Sequence, residues 1–265
     1  MSGYKERVYG QYGDGTKEDE RPFRSRSEGL EFHYTKKAMA EYIRPDSRVL
    51  EIGCATGYYA MHFADKCREY VGVDLFGPHI DIFRRKIAER GLANVSCQVG
   101  DALALPFADG SFDVVCCLGP MYHLPPEQRE RAFAEAARVC KPGGTAAFAY
   151  INLIGVYVGV CVHDKHRERY PNAETHDFVF RYGTNDEKPF VFYFTTPEEM
   201  EAAAARSGLV KLRNMGTDSF ITMCAVDQMD DQKFALYLEL HDRMVAHESC
   251  TGMSNHALLI CGKEG

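Results

Sequence analysis

The chain has 265 residues, 45% of them hydrophobic and 26% charged, with a formal net charge of −7 and a sequence pI near 5.8. That length fits one large domain, or one domain plus a lid, with a sizeable core. The acidic balance argues against a nucleic-acid binder, which needs a basic face, and no apolar run approaches the ~18 residues of a membrane span.

Residues 1–28 are rich in Gly, charge and Tyr (Tyr4, Tyr9, Tyr12) and read as a mobile arm rather than core. They hold no apolar h-region and do not read as a secretory signal. From 29 to 265 the chain reads as one domain. A helix is expected from Gly29 to Ile43, stopped by Pro45-Asp46. Strands and helices then alternate: strand Arg48–Ile52, helix Thr56–Lys66, strand Tyr70–Val73, helix Pro78–Arg90, strand Val95–Val99, strand Phe112–Leu118, helix Pro126–Cys140, strand Thr145–Ile151. Lys141-Pro142-Gly143-Gly144 fits a type II turn. This rhythm implies βαβ units and a parallel sheet.

The stretch 152–195 breaks the rhythm and is too long for a plain connection, so it reads as an insertion or lid. Thr196-Pro197-Glu198-Glu199 carries an N-cap, Pro at N1 and a capping-box Glu. A helix to Gly208, a strand Val210–Met215, a long helix Met229–His247 and a last strand His256–Cys261 complete the chain. The ten cysteines include no C-x-x-C pair, which suits reduced, mostly buried thiols and a cytoplasmic location.

The densest signal is Val49-Leu50-Glu51-Ile52-Gly53-Cys54-Ala55-Thr56-Gly57, an apolar run ending in an acid and a glycine-rich turn. Asp74 and Asp101 end two later apolar runs. In open α/β sheets, ligands sit beyond the carboxyl ends of the strands. A dinucleotide site wants G-x-G-x-x-G; after Gly53 the next two places hold Ala55 and Tyr58. A P-loop wants G-x-x-x-x-G-K-[ST], and there is no Lys behind Tyr58.

What remains is an S-adenosylmethionine pocket. Residues 49–151 resemble a class I S-adenosylmethionine-dependent methyltransferase, in the broad group of the ubiquinone and menaquinone biosynthesis enzymes. The family's [DE]-x-G-x-G-x-G is matched by Glu51, Gly53 and Gly57, with Ala55 at the middle glycine. Leu105-Pro106-Phe107, Ser111-Phe112-Asp113, Leu118 and the turn 141–144 match its later landmarks. The resemblance implies an α/β fold: a doubly wound, mostly parallel seven-stranded sheet, Rossmann-like, with an antiparallel last strand. It implies cofactor contacts at Glu51, Gly53, Cys54, Ala55, Gly57, Asp74, Leu75, Asp101, Ala102 and Leu118. Asp74 would take both ribose hydroxyls, Asp101 the adenine amino group, and Leu75 and Leu118 would sandwich adenine and ribose. Glu51 would orient the loop or meet the methionine ammonium.

The implied reaction is in-line methyl transfer to a small-molecule acceptor, leaving S-adenosylhomocysteine. The protein mainly aligns the nucleophile and excludes water. Gly119-Pro120-Met121-Tyr122-His123 follows the fourth strand and, by the resemblance, faces the methyl. His123 reads either as a general base or as a support for that loop, and Tyr122 as a substrate or core residue. Tyr34, with His33, is a second polar pair expected to reach the cofactor from above. Cys161-Val162-His163 with His166 is not a zinc spacing, and no metal site is expected. The aromatic residues of 152–195 suit either a partly apolar acceptor or the lid's own core. No nucleic-acid or membrane partner is expected, and the protein is expected as a monomer or homodimer. The alternative reading is a non-catalytic S-adenosylmethionine-binding sensor or partner protein.

Overall fold

In the computed structural model, residues 3–13, 15–162, 176, 180, 183, 191–219 and 223–265 are described. The strands are β1 (Arg48–Ile52), β2 (Glu69–Asp74), β3 (Val95–Val99), β4 (Phe112–Cys117), β5 (Cys140–Ile151), β6 (Leu209–Gly216) and β7 (His256–Lys263). They form one sheet in the order β3-β2-β1-β4-β5-β7-β6. The first five pair in parallel, while β7 runs antiparallel to both β5 and β6. This is the expected doubly wound sheet with an antiparallel last strand.

Both faces are covered, and the strands show it. Side chains alternate between faces along a strand, so a strand buried on both sides reads as a near-continuous apolar run. Leu50, Ile52, Val71, Val73, Val115, Cys117, Phe148 and Leu259 pack into one core. Against it lie Phe133, Ala136 and Ala137 of helix Pro126–Val139 and Met200, Ala203 and Ala204 of helix Pro197–Arg206. Val49, Tyr70, Val114, Cys116, Ala147, Leu258 and Ile260 face the other core. That side is covered by helices Arg26–Met39, Tyr58–Phe63, Gly77–Arg90 and Asp231–Ala246.

Local signals set the element ends. Ser25 caps helix Arg26–Met39 by accepting from the Glu28 amide, so the helix begins before the expected Gly29 and ends before Ile43. Thr196 and Glu199 make the capping box that the sequence implied. Gly143, at φ 74, takes the left-handed place that a type II turn requires. Among the described residues, no helix is long and apolar enough to cross a membrane.

The largest difference lies at the N-terminus. The expected arm is helical: α1 (Gly3–Tyr12) and α2 (Thr16–Arg24) lead into α3 (Arg26–Met39). This segment has no core of its own. Instead Val8 is buried in the sheet's core cluster and Tyr12 packs against it. Asp19 ties α2 to the glycine turn and to helix Gly77–Arg90, accepting from Thr56 Oγ1 at 2.7 Å and pairing with Lys86. A reading based on charge density misses this, because the apolar residues that anchor the segment are few and far apart.

The insertion begins with helix Leu153–Val162 and returns at Val191. Its ends are pinned where Asn152 bridges Thr195 and the Tyr193 amide donates to the Tyr122 carbonyl at 2.7 Å. His163, His166, Tyr170, Asp177, Phe178 and Tyr182 lie outside the described residues.

Candidate cofactor and acceptor pocket

The turn after β1 holds the floor of a cavity of about 990 Å3, which includes space open to solvent. Gly53, Ala55 and Gly57 all have positive φ, at 76, 42 and 81°. Glycine adopts that region freely, whereas an alanine there costs about 1–2 kcal/mol. Gly53 permits a close approach: a Cβ would lie 2.5 Å from Pro120 Cδ and 3.0 Å from Gly119 Cα. Gly57 does not line the cavity. It starts helix Tyr58–Phe63, and a Cβ there would lie 2.4 Å from the Phe83 ring. Its role here is packing, which differs from the expected cofactor contact.

Asp74, at the end of β2, holds this turn in place. Its Oδ2 accepts from the Ala55 amide and its Oδ1 from the Phe76 amide, both at 2.8 Å. A carboxylate offers about four lone-pair sites, so both oxygens retain capacity toward the cavity. His79 Nδ1 lies 3.4 Å from Asp74 Oδ1, while His79 Nε2 is buried with no hydrogen-bond partner. A buried polar atom without a partner is costly. This one is closed to solvent, on the ring edge that faces Gly15.

Glu51 is fully buried at the end of β1, with Oε2 accepting from Tyr70 Oη at 2.8 Å. Burial pushes its carboxyl up to about 8, opposed by the Tyr70 hydrogen bond and reinforced by the charge of Asp74. Asp101 folds its own turn, accepting from the Leu103 amide at 3.0 Å, and lines the cavity with Ala102. Cys54, Leu75 and Leu118 also line it. Burial pushes the Cys54 thiol well up, so it is an inert wall group.

The roof comes from residues that carry no motif. Val8 and Tyr12 of α1, Glu18 and Arg21 of α2, and Glu31 and Phe32 of α3 all line the cavity. Arg21 pairs with Glu31 at 3.0 Å and Glu18 at 3.2 Å and lies 4.8 Å over the Phe32 ring. Behind Glu31, His256 Nε2 sits 3.9 Å away, and His256 Nδ1 meets Asp218 at 2.7 Å. Burial works against a charged His256, but Glu31 and Asp218 outweigh it and raise its pKa to about 9. A row of alternating charges thus runs from the ends of β6 and β7 into the cavity. Sequence reasoning missed it because its members lie up to 238 positions apart.

His123 is buried in the same cavity, one residue past the short 3-10 turn Pro120–Tyr122. Nδ1 is 2.9 Å from the Val191 carbonyl and Nε2 is 2.6 Å from Tyr12 Oη. Burial holds its pKa down at about 4, so the imidazole is neutral. Tyr122 lines the cavity beside it. Tyr34 does not: its hydroxyl donates to Asp242 Oδ1 at 3.0 Å, and its ring packs on His241 at 4.3 Å. Helix α3 turns Glu31 and Phe32 to the cavity and Tyr34 to the C-terminal helix, which corrects the expected role of Tyr34. His33 is exposed beside it. Among the described residues, no group of three metal-ligating side chains occurs.

Residues 49–144 match the family described as "Methyltransferase domain". The chain is 36% identical over 101 residues to the uncharacterised methyltransferase YcgJ of Bacillus subtilis, covering 38% of this chain and 39% of that protein. It is 37% identical over 102 residues to the Homo sapiens protein named probable tRNA methyltransferase 9B, covering 38% and 20%. The chain therefore spans well under half the length of these relatives. A solved SAM-dependent methyltransferase of Methanosarcina mazei superposes with a TM-score of 0.59 at 18% identity, over 86% of this chain and 97% of that one, which shows the shared fold. Motif, sheet order and family match agree on residues 49–144, which match a methyltransferase domain and share the fold of a solved S-adenosylmethionine-dependent methyltransferase.

Proposed function

We propose that the protein transfers a methyl group from S-adenosylmethionine to a small-molecule acceptor. The observation that carries this reading is one cavity whose lining brings Asp74, Asp101 and the glycine turn together with Tyr12, Tyr122 and His123. The motif residues expected to hold a cofactor thus share one cavity with polar groups that could meet an acceptor.

The residues fit the cofactor. Asp74, whose two oxygens keep lone pairs beyond the Ala55 and Phe76 amides, suits the ribose hydroxyls. Asp101, Ala102, Leu75 and Leu118 suit the adenine. Glu51 and the turn at Gly53 suit the methionine ammonium, and Arg21 suits its carboxylate, since a guanidinium forks onto two oxygens. When bound, the cofactor supplies an activated methyl that an aligned nucleophile displaces from sulfur. The chain's own residues orient, exclude water and manage the proton.

A small acceptor is supported by the roof of α1 and α2 over the cavity, and the net charge of −7 gives no support to a nucleic-acid acceptor. The eight cysteines whose side chains are described are all free, which suits a reducing, cytoplasmic setting. The competing reading is a sensor that binds the cofactor without turnover. Incubation with S-adenosylmethionine and a metabolite panel, scored by release of S-adenosylhomocysteine, separates the two. Release that depends on one acceptor class supports the transferase, whereas tight binding with no release from any member supports the sensor.

A further inference from the structure

We propose that Tyr12 is the group that takes the proton of the methyl-receiving nucleophile, and that His123 takes Tyr12's own proton in turn. The inference rests on the transferase reading above and deepens it by naming the proton path and the acceptor class.

Hydrogen-bond roles follow from which atoms carry protons. The Val191 carbonyl only accepts, so at 2.9 Å it fixes the proton of His123 on Nδ1. A neutral imidazole carries one N–H, which leaves Nε2 with a lone pair. Tyr12 Oη, 2.6 Å from Nε2, must therefore be the donor. The Tyr12 oxygen keeps its own lone pairs, and Tyr12 lines the cavity. His123 lines it too, but its Nε2 lone pair is taken up by the Tyr12 hydroxyl, so a proton from the cavity reaches Nε2 through the phenol.

The surroundings explain why two residues are needed. Tyr12 faces Asp74 from the end of β2, Glu18 and Arg21 from α2, Tyr122 after β4, and the His79 and His123 rings. Burial, then Tyr122, Glu18 and Asp74, hold the phenol protonated against the opposing pull of Arg21. No phenolate stands ready, so Tyr12 accepts a proton only as it gives one up. His123 is a neutral acceptor placed for that proton, with Asp74 favouring and Arg21 opposing its charged form.

The acceptor's oxygen forms the new bond to the methyl carbon, and the pair of the broken S–C bond stays on sulfur. The hydroxyl proton of the acceptor passes to Tyr12 Oη, and the Tyr12 proton passes to His123 Nε2. The positive charge lost by the sulfonium reappears on the imidazolium, so the net charge of the cavity does not change. Such a path serves a nucleophile that must lose a proton to react. It points to a hydroxyl acceptor, since a neutral amine or a thiolate needs no base at this step.

The test uses the full chain. Nitrogen-15 spectra of histidine-labelled protein with bound S-adenosylmethionine should show His123 neutral at neutral pH, with its proton on Nδ1. Tyr12→Phe should move the Nε2 resonance toward that of an unbonded nitrogen. An Nε2–H tautomer or an imidazolium in this state overturns the relay. Turnover is then read on a panel of hydroxyl, amine and thiol metabolites. Tyr12→Phe and His123→Asn should each lower kcat by about 100-fold or more, with KM little changed. Each should also abolish the solvent deuterium isotope effect of the parent. Unaltered kcat in Tyr12→Phe, turnover confined to amines, or cofactor binding with no turnover at all contradicts the relay. Failure of the parent protein to bind S-adenosylmethionine would instead remove the transferase reading itself.

Discussion

The half of the pocket built by residues 49–144 and the half built by residues 3–39 follow opposite rules. In the first, the acids sit at strand ends and are held by backbone amides of nearby connections, as Asp74 is held by the Ala55 and Phe76 amides. In the second, each group is held by a residue far along the chain: Tyr12 by His123, Asp19 by Thr56 and Lys86, Arg21 and Glu31 toward His256. The floor is therefore a property of the fold, and the roof is a property of this chain.

Breaking the floor should cost the most. Gly57→Ala places a Cβ 2.4 Å from the Phe83 ring at φ 81. We expect a loss of about 3 kcal/mol or more from overpacking and backbone strain together, read as a shift in the urea midpoint. An unshifted midpoint would mean that the turn does not pack on Phe83. Asp74→Ala removes the ribose acceptor and the anchor of the Ala55 amide. Affinity for S-adenosylmethionine should fall by about 100-fold, in line with lost charge-assisted hydrogen bonds. Unchanged affinity would place the ribose elsewhere.

The roof should give smaller and more selective effects. Arg21→Ala should weaken S-adenosylmethionine by about 10-fold, the scale of one exchanged charge-assisted bond, while leaving the affinity for adenosine alone unaltered. Equal losses for both ligands would show that Arg21 only supports the fold.

Glu51 links cofactor binding to pH. Its folded pKa of about 8 stands above the unfolded carboxyl value of about 4.3. The free folded protein thus holds the extra proton between those values. The contribution to stability is complete below about pH 4.3 and is lost as pH rises through about 8. Binding of the cationic cofactor favours the carboxylate, so it should release a proton and tighten as pH rises toward 8. Calorimetric enthalpies should then depend on the ionisation heat of the buffer, and Glu51→Gln should erase that dependence. The smallest effect is expected at Ala55→Gly. Relief of the strain at φ 42 is offset by greater freedom of the unfolded chain, for a net change within about 1 kcal/mol. A larger loss would mean that the Ala55 methyl itself packs.

The legibility of the chain divides along the same line. Glu51, Asp74 and Asp101 stand out because each interrupts an apolar run just where a buried strand must end. The capping box at Thr196 also follows from local signals. Tyr34 was misassigned because a helix repeat shows that faces differ, while only the neighbouring helix, through Asp242, decides which face is which. Tyr12 and Arg21 were hidden for a related reason: their segment is short and charged, and its order comes from contacts far along the chain, 111 positions away in the case of His123. Gly57 was read as a ligand residue because its motif place is shared by glycines that serve packing and glycines that admit a ligand.

The most direct test is calorimetric titration of the parent chain, Asp74→Ala and Arg21→Ala with S-adenosylmethionine. The joint floor and roof predict saturable one-to-one binding to the parent, weakened strongly by the first substitution and moderately by the second. No binding to the parent at millimolar cofactor, or binding indifferent to both substitutions, would contradict the account.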